Sequence, residues 1–410
     1  MEQQRKKILF FDHDPRMSGS SISLKYIIAE FKRQGNDVYL FTQKDKEFSE
    51  VFEKMGVKIL SISNSKLNSF ALSIHFGDDY EFLSLNWFLT FIKNIVRIIV
   101  GTLNSLKTIK CIKPDLVYLN EHNMFYVAII AKSLAAKSFI HLRSNFIKGK
   151  FGISERLISK SIYRFNDFIF AITEVEAKQI LKYNTDQLNK VIILPEFLSE
   201  DDFICNFNIE QLRQEFSLPM DKTLVVSFIG VDRLKGTLEF LKAIDITSRL
   251  NKNIYFILAG EIKKDGAIKE VKKYYDECNK LLSLDNIKRN LSVIGYTDKQ
   301  HELLYASDIL ISPFKQSHFS RPVIEAWALK KAVITSNTQH AQFYIEDGVN
   351  GLYFNNVEEL SNLIIKLAED RNLYEKLSVN GNTKARDYFL ATSNLPKMIE
   401  KFNLSFNSNI

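Results

Sequence analysis

Strand-like and helix-like segments alternate along this chain, and that alternation constrains its fold more than any other feature. In the first half, short apolar runs that predict strands lie at residues 8–11, 38–42, 57–62, 116–119, 139–141 and 168–172. The same rhythm restarts after residue 200, with runs at 224–229, 254–259, 291–294, 309–311 and 332–335. Strands that alternate with helices form parallel, doubly wound sheets. We therefore predict two Rossmann-like α/β domains.

The chain has 410 residues, of which 46% are apolar, so it is globular and too long for one ordinary core. We predict a first domain over residues 1–197 and a second over 198–390, with the linker near 195–203. The last segment, 391–410, reads as an amphipathic helix.

Charge and cysteine content limit the partners and the compartment. The net charge of +7 and the pI of about 8.9 suit an anionic ligand or an anionic membrane surface. No recognised nucleic-acid motif is present, so we expect no nucleic-acid partner. The three cysteines are far apart, which argues against a disulfide framework or a zinc cluster and favours a reducing cytosol. The N-terminus lacks the apolar core of a signal peptide.

Residues 309–335 form one strand–loop–helix–strand unit. The strand ends in Ser312-Pro313, and the helix carries an acidic residue, Glu325, near its start. A loop and helix N-terminus at the carboxyl end of a parallel strand form a phosphate site. A carboxylate one turn further in can hold a ribose diol. The unit therefore predicts a nucleotide site, whose candidate residues are Ser317, Phe319, Ser320 and Glu325.

This stretch resembles the signature Glu-x-Phe-Gly-x-Pro-x-x-Glu-Ala of the retaining family 4 glycosyltransferases, which have the GT-B fold. The matching residues are Phe319, Pro322, Glu325 and Ala326. Ser317 stands at the first Glu, and Ser320 stands at the Gly. In that family the first Glu acts close to the transferred sugar and the second binds the ribose. The resemblance thus assigns the ribose to Glu325 and leaves the first role without a carboxylate.

The loop from Gly230 to Gly236 joins a predicted strand to a helix. Its cations and backbone N–H groups suit a diphosphate, although an ordinary turn with surface cations is the alternative. The family has Gly-Arg and then Lys-Gly in this loop; Lys235 matches the Lys, while Val231 replaces the Arg. Arg233 is our candidate for the missing guanidinium. Residues 347–354 also resemble the family, whereas 339–343 depart from its Gly-Gly-x-x-Glu.

Several polar residues follow predicted strands of the first domain. Gly19 lies in a small-residue loop that opens a helix, where the family faces donor and acceptor. His141 matches a family histidine that contacts the transferred sugar, the alternative being a buried histidine bonded to the backbone. Our acceptor-side candidates are Glu121, His122 and Arg143. The run Asp12-His13-Asp14 superficially resembles a metal-binding Asp-x-Asp motif, but we interpret it as a loop.

Residues 82–109 are mostly apolar, with Lys93, Arg97 and Lys107 as their only charges. The three cations argue against a transmembrane span. A basic helix of this kind can lie in a membrane interface, but we favour a helix packed on the sheet. The basic segment 148–164 either extends a membrane-facing surface or is a solvated helix face.

The resemblance implies two domains facing a cleft, with the terminal helix crossing back to the first. It implies transfer of a sugar from a nucleoside diphosphate sugar to an acceptor hydroxyl with retained configuration, without cofactor or metal. Lys235, Arg233 and the helix start near Ser320 would stabilise the leaving diphosphate. The acceptor would be a surface glycan or a lipid-linked one, reached in the cytoplasm or at the inner face of the plasma membrane. The alternatives are a catalytically silent nucleotide-sugar-binding subunit and a sugar-nucleotide epimerase.

Overall fold

The computed structural model describes residues 5–13, 17–42, 46–61, 74, 85–146, 152–185, 189–261 and 269–407. The chain forms two compact units. The first comprises Met1–Phe197 together with Asn394–Ile410, and the second comprises Leu198–Ser393. Each unit is a parallel sheet covered by helices, so the predicted pair of Rossmann-like α/β domains is confirmed.

The first unit contains a seven-stranded parallel sheet in the order β3-β2-β1-β4-β5-β6-β7. Its strands are β1 (Lys7–Phe11), β2 (Asp37–Thr42), β3 (Lys58–Ser61), β4 (Leu116–Leu119), β5 (Lys137–Leu142), β6 (Phe168–Ala171) and β7 (Val191–Ile193). Its helices are α1 (Gly19–Arg33), α2 (Lys46–Lys54), α3 (Leu85–Ile112), α4 (Tyr126–Ser133), α5 (Ile153–Phe165) and α6 (Glu174–Leu181). The chain leaves β1 toward β2 and returns to β4 on the other side, so the strand order reverses between β1 and β4. Ligands of open α/β sheets bind beyond the carboxyl ends of the strands at this reversal.

The second unit contains a six-stranded parallel sheet in the order β10-β9-β8-β11-β12-β13. Its strands are β8 (Thr223–Ser227), β9 (Ile254–Ala259), β10 (Leu291–Gly295), β11 (Ile309–Ser312), β12 (Ala332–Ser336) and β13 (Leu352–Phe354). Its helices are α7 (Ile209–Glu215), α8 (Thr237–Leu250), α9 (Lys269–Leu282), α10 (Asp285–Asn290), α11 (Gln300–Ala306), α12 (Arg321–Ala328), α13 (Ala341–Tyr344), α14 (Val357–Glu369) and α15 (Arg371–Phe389). The strand order reverses between β8 and β11.

The last helix, α16 (Ala391–Asn407), returns the end of the chain to the first unit. Phe402 packs edge-on against Phe31 of α1, with ring centroids 4.9 Å apart. The ammonium of Lys6 lies 4.9 Å from the ring centroid of Phe406. The core of the first unit is thus completed by residues almost 400 positions from its first strand.

Among the described residues, helix α3 packs on the core of the first unit along its second half, which corrects the prediction that this segment packs on the sheet along its length. Gly101, Ser105 and Ile109 are buried, and Ile98 and Leu106 pack against the core. A helix of 28 residues is about 42 Å long, whereas the neighbouring strands of four to six residues extend only about 13–20 Å. The first half of α3 therefore has little sheet to pack on, and most of its described apolar side chains are exposed. Of the basic segment 148–164, residues 148–151 lie outside the described residues.

Candidate active site

The loops that follow β8 and β11 touch each other at the strand-order reversal of the second unit. Gly236 has φ +76°, and a Cβ on it would lie 1.8 Å from the carbonyl oxygen of Pro313. Lys315 and Gln316 donate their backbone N–H groups to the carbonyl of Leu234, at 3.1 and 3.2 Å. Only glycine allows this backbone approach. The two predicted phosphate loops are therefore one continuous surface.

Backbone hydrogen bonds inside the loop after β8 fix its shape. The N–H of Asp232 donates to Thr237 Oγ1 at 3.0 Å, and the N–H of Leu234 donates to the carboxylate of Asp232 at 2.9 Å. Thr237 Oγ1 in turn donates to the carbonyl of Gly230 at 3.0 Å. The N–H groups of Gly230, Val231 and Lys235 are bonded to backbone carbonyls as well. We expected both cations and backbone N–H groups to bind a diphosphate in this loop. Because these N–H groups are already bonded, the positive charge for a ligand comes mainly from the half-buried side chains of Arg233 and Lys235.

The start of α12 is anchored by polar contacts from two directions. Ser312, at the end of β11, donates its hydroxyl to that of Ser320 at 2.8 Å, and the N–H of Ser320 donates to the hydroxyl of Tyr344 at 3.3 Å. Phe319 is 3% exposed, with its ring centroid 4.7 Å from that of Tyr344. The predicted role of Phe319 in nucleotide binding is thus corrected: its side chain belongs to an aromatic core that holds the loop.

Glu325 is oriented by an arginine that the sequence analysis did not single out. Arg321 Nε donates to Glu325 Oε1 at 2.7 Å, one helical turn away. The Arg321 side chain is only 8% exposed, whereas that of Glu325 is 19% exposed. Among the described residues no hydrogen bond reaches the second oxygen, Oε2. The i, i+4 spacing of Arg321 and Glu325 is the sequence signal that could have predicted this ion pair.

Ser317, which stands at the first signature Glu, pairs with His340 of segment 339–343, which also departs from the family pattern. Its hydroxyl lies 2.7 Å from His340 Nδ1 and accepts the backbone N–H of His340 at 3.2 Å. Two of the departures therefore meet at one point, where a hydroxyl–imidazole pair stands in place of a carboxylate.

Residues 347–354 form a turn and strand whose polar groups serve the fold. Gly348 donates to the carbonyl of Gly351 at 2.9 Å, and Tyr353 N–H donates to Asp347 Oδ1 at 2.8 Å. Asn350 accepts the N–H of Glu346 at 2.8 Å. The resemblance of residues 347–354 to the family therefore reflects the hydrogen bonds that shape this turn and strand.

The first unit carries a buried polar cluster at its own strand-order reversal, beyond the ends of β1, β4 and β5. Asp12 accepts a hydrogen bond from Ser21 of α1 at 2.9 Å. Arg143 Nε donates to Asn120 Oδ1 at 2.9 Å, and Arg143 Nη1 donates to Glu196 Oε1 at 2.9 Å. The remaining nitrogen, Arg143 Nη2, is buried with no hydrogen-bond partner among the described residues. An unpaired buried donor calls for an oxygen ligand.

Glu121 and His122 form a close pair in the same cluster. Glu121 Oε1 accepts from the N–H of His122 at 2.7 Å and lies 2.6 Å from His122 Nδ1. The hydroxyl of Ser144 donates to Glu121 Oε2 at 3.1 Å. Burial opposes ionisation, but the charge and hydrogen bonds of His122, aided by His13, outweigh it and lower the pKa of Glu121 to about 2. Glu121 is thus a carboxylate throughout the physiological range.

The structure places His141 in the core, without either ring nitrogen exposed. Nε2 donates to the carbonyl of Leu194 at 3.0 Å, so Nδ1 accepts the hydroxyl of Tyr118 at 2.8 Å. Burial, followed by the charge of Arg143, lowers the pKa of His141 well below its usual range. This buried geometry does not support the predicted contact of His141 with a sugar.

The other first-unit candidates have plainer environments. Gly19 is the first residue of α1, after the N-cap Ser18, and it is half-buried. Asp14 lies outside the described residues. Within the described part of the chain, no group of three or more His, Cys, Asp or Glu side chains is placed to hold a metal ion.

Comparison with known proteins finds a family match within the second unit. Residues 208–384 match the family described as glycosyl transferases group 1. This part of the second unit is thus similar to the group 1 glycosyl transferases. The match spans the loop after β8, the Arg321–Glu325 pair and the Ser317–His340 pair.

Two curated relatives of this chain are named glycosyltransferases. An uncharacterized glycosyltransferase of Methanocaldococcus jannaschii is 24% identical over 286 residues, which cover 66% of this chain and 65% of the relative. The capsular polysaccharide biosynthesis glycosyltransferase CapM of Staphylococcus aureus is 22% identical over 226 residues, covering 54% of this chain and 57% of CapM. The aligned part of the chain thus spans less than two thirds of either relative.

A solved structure extends the likeness in fold over nearly the whole chain. Anabaena HepE in complex with UDP and glucose superposes with a TM-score of 0.77 at 17% identity, covering 97% of this chain and all of that one. At this identity the likeness establishes the fold, which is that of GT-B glycosyltransferases.

Proposed function

We propose that this protein is a retaining glycosyltransferase that moves a sugar from a nucleoside diphosphate sugar to a hydroxyl of a glycan or lipid-linked acceptor. The observation that carries the proposal is the meeting of two loops at the β8/β11 reversal, with Arg233 and Lys235 on one and the Arg321–Glu325 pair beyond the other. This arrangement supplies cations for a diphosphate and an oriented carboxylate for a ribose diol. The match of residues 208–384 to group 1 glycosyl transferases supports it.

The second unit binds the donor and stabilises its departure. As the glycosidic bond breaks, negative charge accumulates on the leaving diphosphate. Lys235 and Arg233 stand fixed before the reaction starts, because the loop that carries them is held by its own hydrogen bonds. Preorganised charge of this kind lowers the barrier without reorganisation during the reaction. Glu325 holds the ribose, and Arg321 keeps its carboxylate in place.

The first unit binds the acceptor. Its cluster of Asp12, Glu121, Glu196 and Arg143 offers hydrogen-bond acceptors for hydroxyl groups and, among the described residues, one unpaired donor, Arg143 Nη2. Three carboxylates with one arginine would repel a polyanion and suit a polyhydroxyl compound. The similarity to CapM supports an acceptor in surface polysaccharide or glycolipid biosynthesis.

We further propose that transfer needs no metal ion and takes place in the cytoplasm. Arg233 and Lys235 supply the positive charge that a metal provides in other transferases. The three cysteines, Cys111, Cys205 and Cys278, are all free thiols, which fits a reducing compartment.

Binding of UDP, GDP and ADP, measured by thermal shift, tests the donor site. We expect one nucleoside diphosphate to raise the melting temperature of the native protein, and Glu325→Ala to abolish most of that rise. The matched control is Glu375→Ala, which breaks an exposed arginine–glutamate pair of the same i, i+4 spacing. Absence of a shift with all three diphosphates would refute the donor site.

One observation favours a second candidate, a silent nucleotide-sugar-binding subunit. Ser317 and His340 form a hydroxyl–imidazole pair where the resembled family has a carboxylate. Incubation of the protein with the donor, with and without candidate acceptors, separates the readings. Glycoside formed with retained anomeric configuration supports the transferase; binding without turnover supports the silent subunit; rearranged sugar released without acceptor indicates an epimerase.

A further inference from the structure

Helix α3 exposes a continuous apolar stripe along its first five turns. The stripe consists of side chains spaced three or four residues apart, each 39–73% exposed: Leu85, Phe88, Leu89, Ile92, Val96, Ile99 and Leu103. At 100° per residue these positions cover an arc of about 100° on one side of the helix. Only 11% of the most apolar window of this helix is buried. Contiguous apolar surface of this size marks an interaction site.

The same side of α3 becomes basic toward its end. Lys107 and Lys110 are exposed and continue the stripe, Lys93 flanks it, and α3 contains no acidic residue. The helix therefore offers apolar contact and positive charge side by side.

Helix α5 repeats this pattern. Ile153 and Leu157 are 57% and 64% exposed, and Lys160 and Arg164 follow on the same face. Arg156 is exposed next to them, while the only acid of the helix, Glu155, is buried against Lys182 and Tyr183. Two helices of one unit thus present the same order of apolar residues followed by cations.

Helix α4 joins these two surfaces into one. It contacts both α3 and α5, it exposes Ile129 and Lys132, and the ammonium of Lys132 donates to the carbonyl of Arg164 at 3.3 Å. Helices that connect parallel strands of one sheet run antiparallel to those strands. The apolar N-terminal halves of α3 and α5 therefore lie toward the carboxyl ends of the strands, where Glu121 and Arg143 are found.

We propose that α3, α4 and α5 dock the first unit on an anionic lipid bilayer, with α3 lying in the plane of the membrane. Apolar side chains insert between the headgroups, and the basic residues pair with anionic lipid. Helix α3 is long and apolar enough to cross a bilayer, but a spanning orientation would pull Gly101, Ser105 and Ile109 out of their buried contacts. The excess of cations favours lipid over a second copy of the same basic surface, which would repel it.

Vesicle co-sedimentation of the full chain tests the proposal without any nucleotide or sugar. We expect the native protein to pellet with phosphatidylcholine vesicles that contain phosphatidylglycerol. The triple variant Phe88→Gln/Ile92→Gln/Ile99→Gln should lose about 100-fold in partitioning, because each apolar side chain contributes part of its burial free energy. The matched control, Leu250→Gln/Tyr296→Gln/Val379→Gln, replaces equally exposed apolar residues of the second unit and should bind like the native chain.

The contribution of charge is measured separately, with substitutions that leave the apolar stripe intact. Arg156→Gln/Lys160→Gln/Arg164→Gln should weaken binding to anionic vesicles by about 5-fold per charge and leave binding to pure phosphatidylcholine unchanged. Lys273→Gln/Lys366→Gln/Lys376→Gln, at exposed cations of the second unit, is the control.

Two results would overturn the proposal. One is equal pelleting of the native chain and both α3 and α5 variants. The other is self-association of the native chain in sedimentation velocity, abolished by the α3 variant, without any vesicle binding; this would show that the surface joins two copies.

Discussion

Both units carry polar residues at the strand-order reversal of their sheet, but the residues at this position differ in charge and burial. In the second unit, the groups at the β8/β11 reversal are cations on a loop fixed by its own backbone, with one carboxylate held by one arginine. In the first unit, the groups at the β1/β4 reversal are carboxylates around a buried arginine, tied together by side-chain hydrogen bonds. One fold thus offers a site suited to a diphosphate and another suited to hydroxyl groups, and the difference lies in a few residues at strand ends.

The difference also predicts how the two sites respond to mutation. In the first unit the charged groups are buried and depend on one another for stability, so removing one should damage the fold. In the second unit the cations are half-exposed, so removing one should damage ligand binding and catalysis and leave the fold intact.

Arg143→Met should have the largest effect on stability. It removes the cation from Glu196, whose side chain is 6% exposed, and should lower the free energy of unfolding by about 3–5 kcal/mol. Urea denaturation measures the change. Arg371→Met, which breaks an exposed pair with Glu375, should change it by less than about 1 kcal/mol. Equal effects of the two substitutions would contradict a buried, interdependent cluster.

Lys235→Ala should have the largest effect on catalysis with little effect on folding. Loss of a preorganised charge at the leaving group lowers kcat by about 100- to 1000-fold, while the urea midpoint should stay near that of the native protein. Steady-state rates with the donor identified by thermal shift provide the measurement. Lys242→Ala, at an exposed lysine of α8, should retain the native rate. A small rate change at Lys235 would place the diphosphate elsewhere.

Acid should remove the stabilising contribution of Glu121. Its pKa falls from 4.5 to about 2 on folding, a difference of about 3 kcal/mol in favour of the folded state at neutral pH. Because the folded pKa is lowered, this contribution is complete above about pH 5 and disappears as the pH falls toward 2. The stability gap between the native protein and Glu121→Gln, measured by urea denaturation from pH 7 to 3, should therefore narrow on acidification. A constant gap would show that Glu121 is not an ionised partner of His122.

Ser317→Ala should have the smallest effect, in the second unit. It removes one hydrogen bond to His340 and should lower kcat/KM by about 3- to 10-fold. Ser283→Ala, which removes an exposed hydrogen bond from the residue after α9 to the carbonyl of Asn279, should leave kcat/KM unchanged. A loss as large as that of Lys235→Ala would mean that Ser317 acts directly on the transferred sugar.

The fold could be predicted from the sequence because its signals are local. Buried parallel strands such as β1 and β11 are continuous apolar runs, and the helices between them show helical spacing. Strand β7 escaped prediction, since its three residues are too few to show a pattern. The donor loops were found for the same reason: they follow recognisable strands.

Features that depend on distant parts of the chain could not be predicted in this way. His141 and Leu194 are 53 positions apart, so their hydrogen bond, and hence the burial of the ring, has no local signature. Ser317 and His340 each looked like an isolated departure from the family pattern, and only the fold brings them together. Exposure of the first half of α3 follows from the short length of neighbouring strands, a quantity that no property of the helix itself reveals.

The return of α16 to the first unit affects how the chain is made. A ribosome releases the residues of α1 and the seven-stranded sheet first, but Phe402, which packs against Phe31, emerges only after the whole of the second unit. The intervening second unit is continuous from Leu198 to Ser393 and can close its own core before that moment. The first unit therefore begins folding first and finishes last, and a nascent chain stalled shortly before residue 400 carries an uncovered α1.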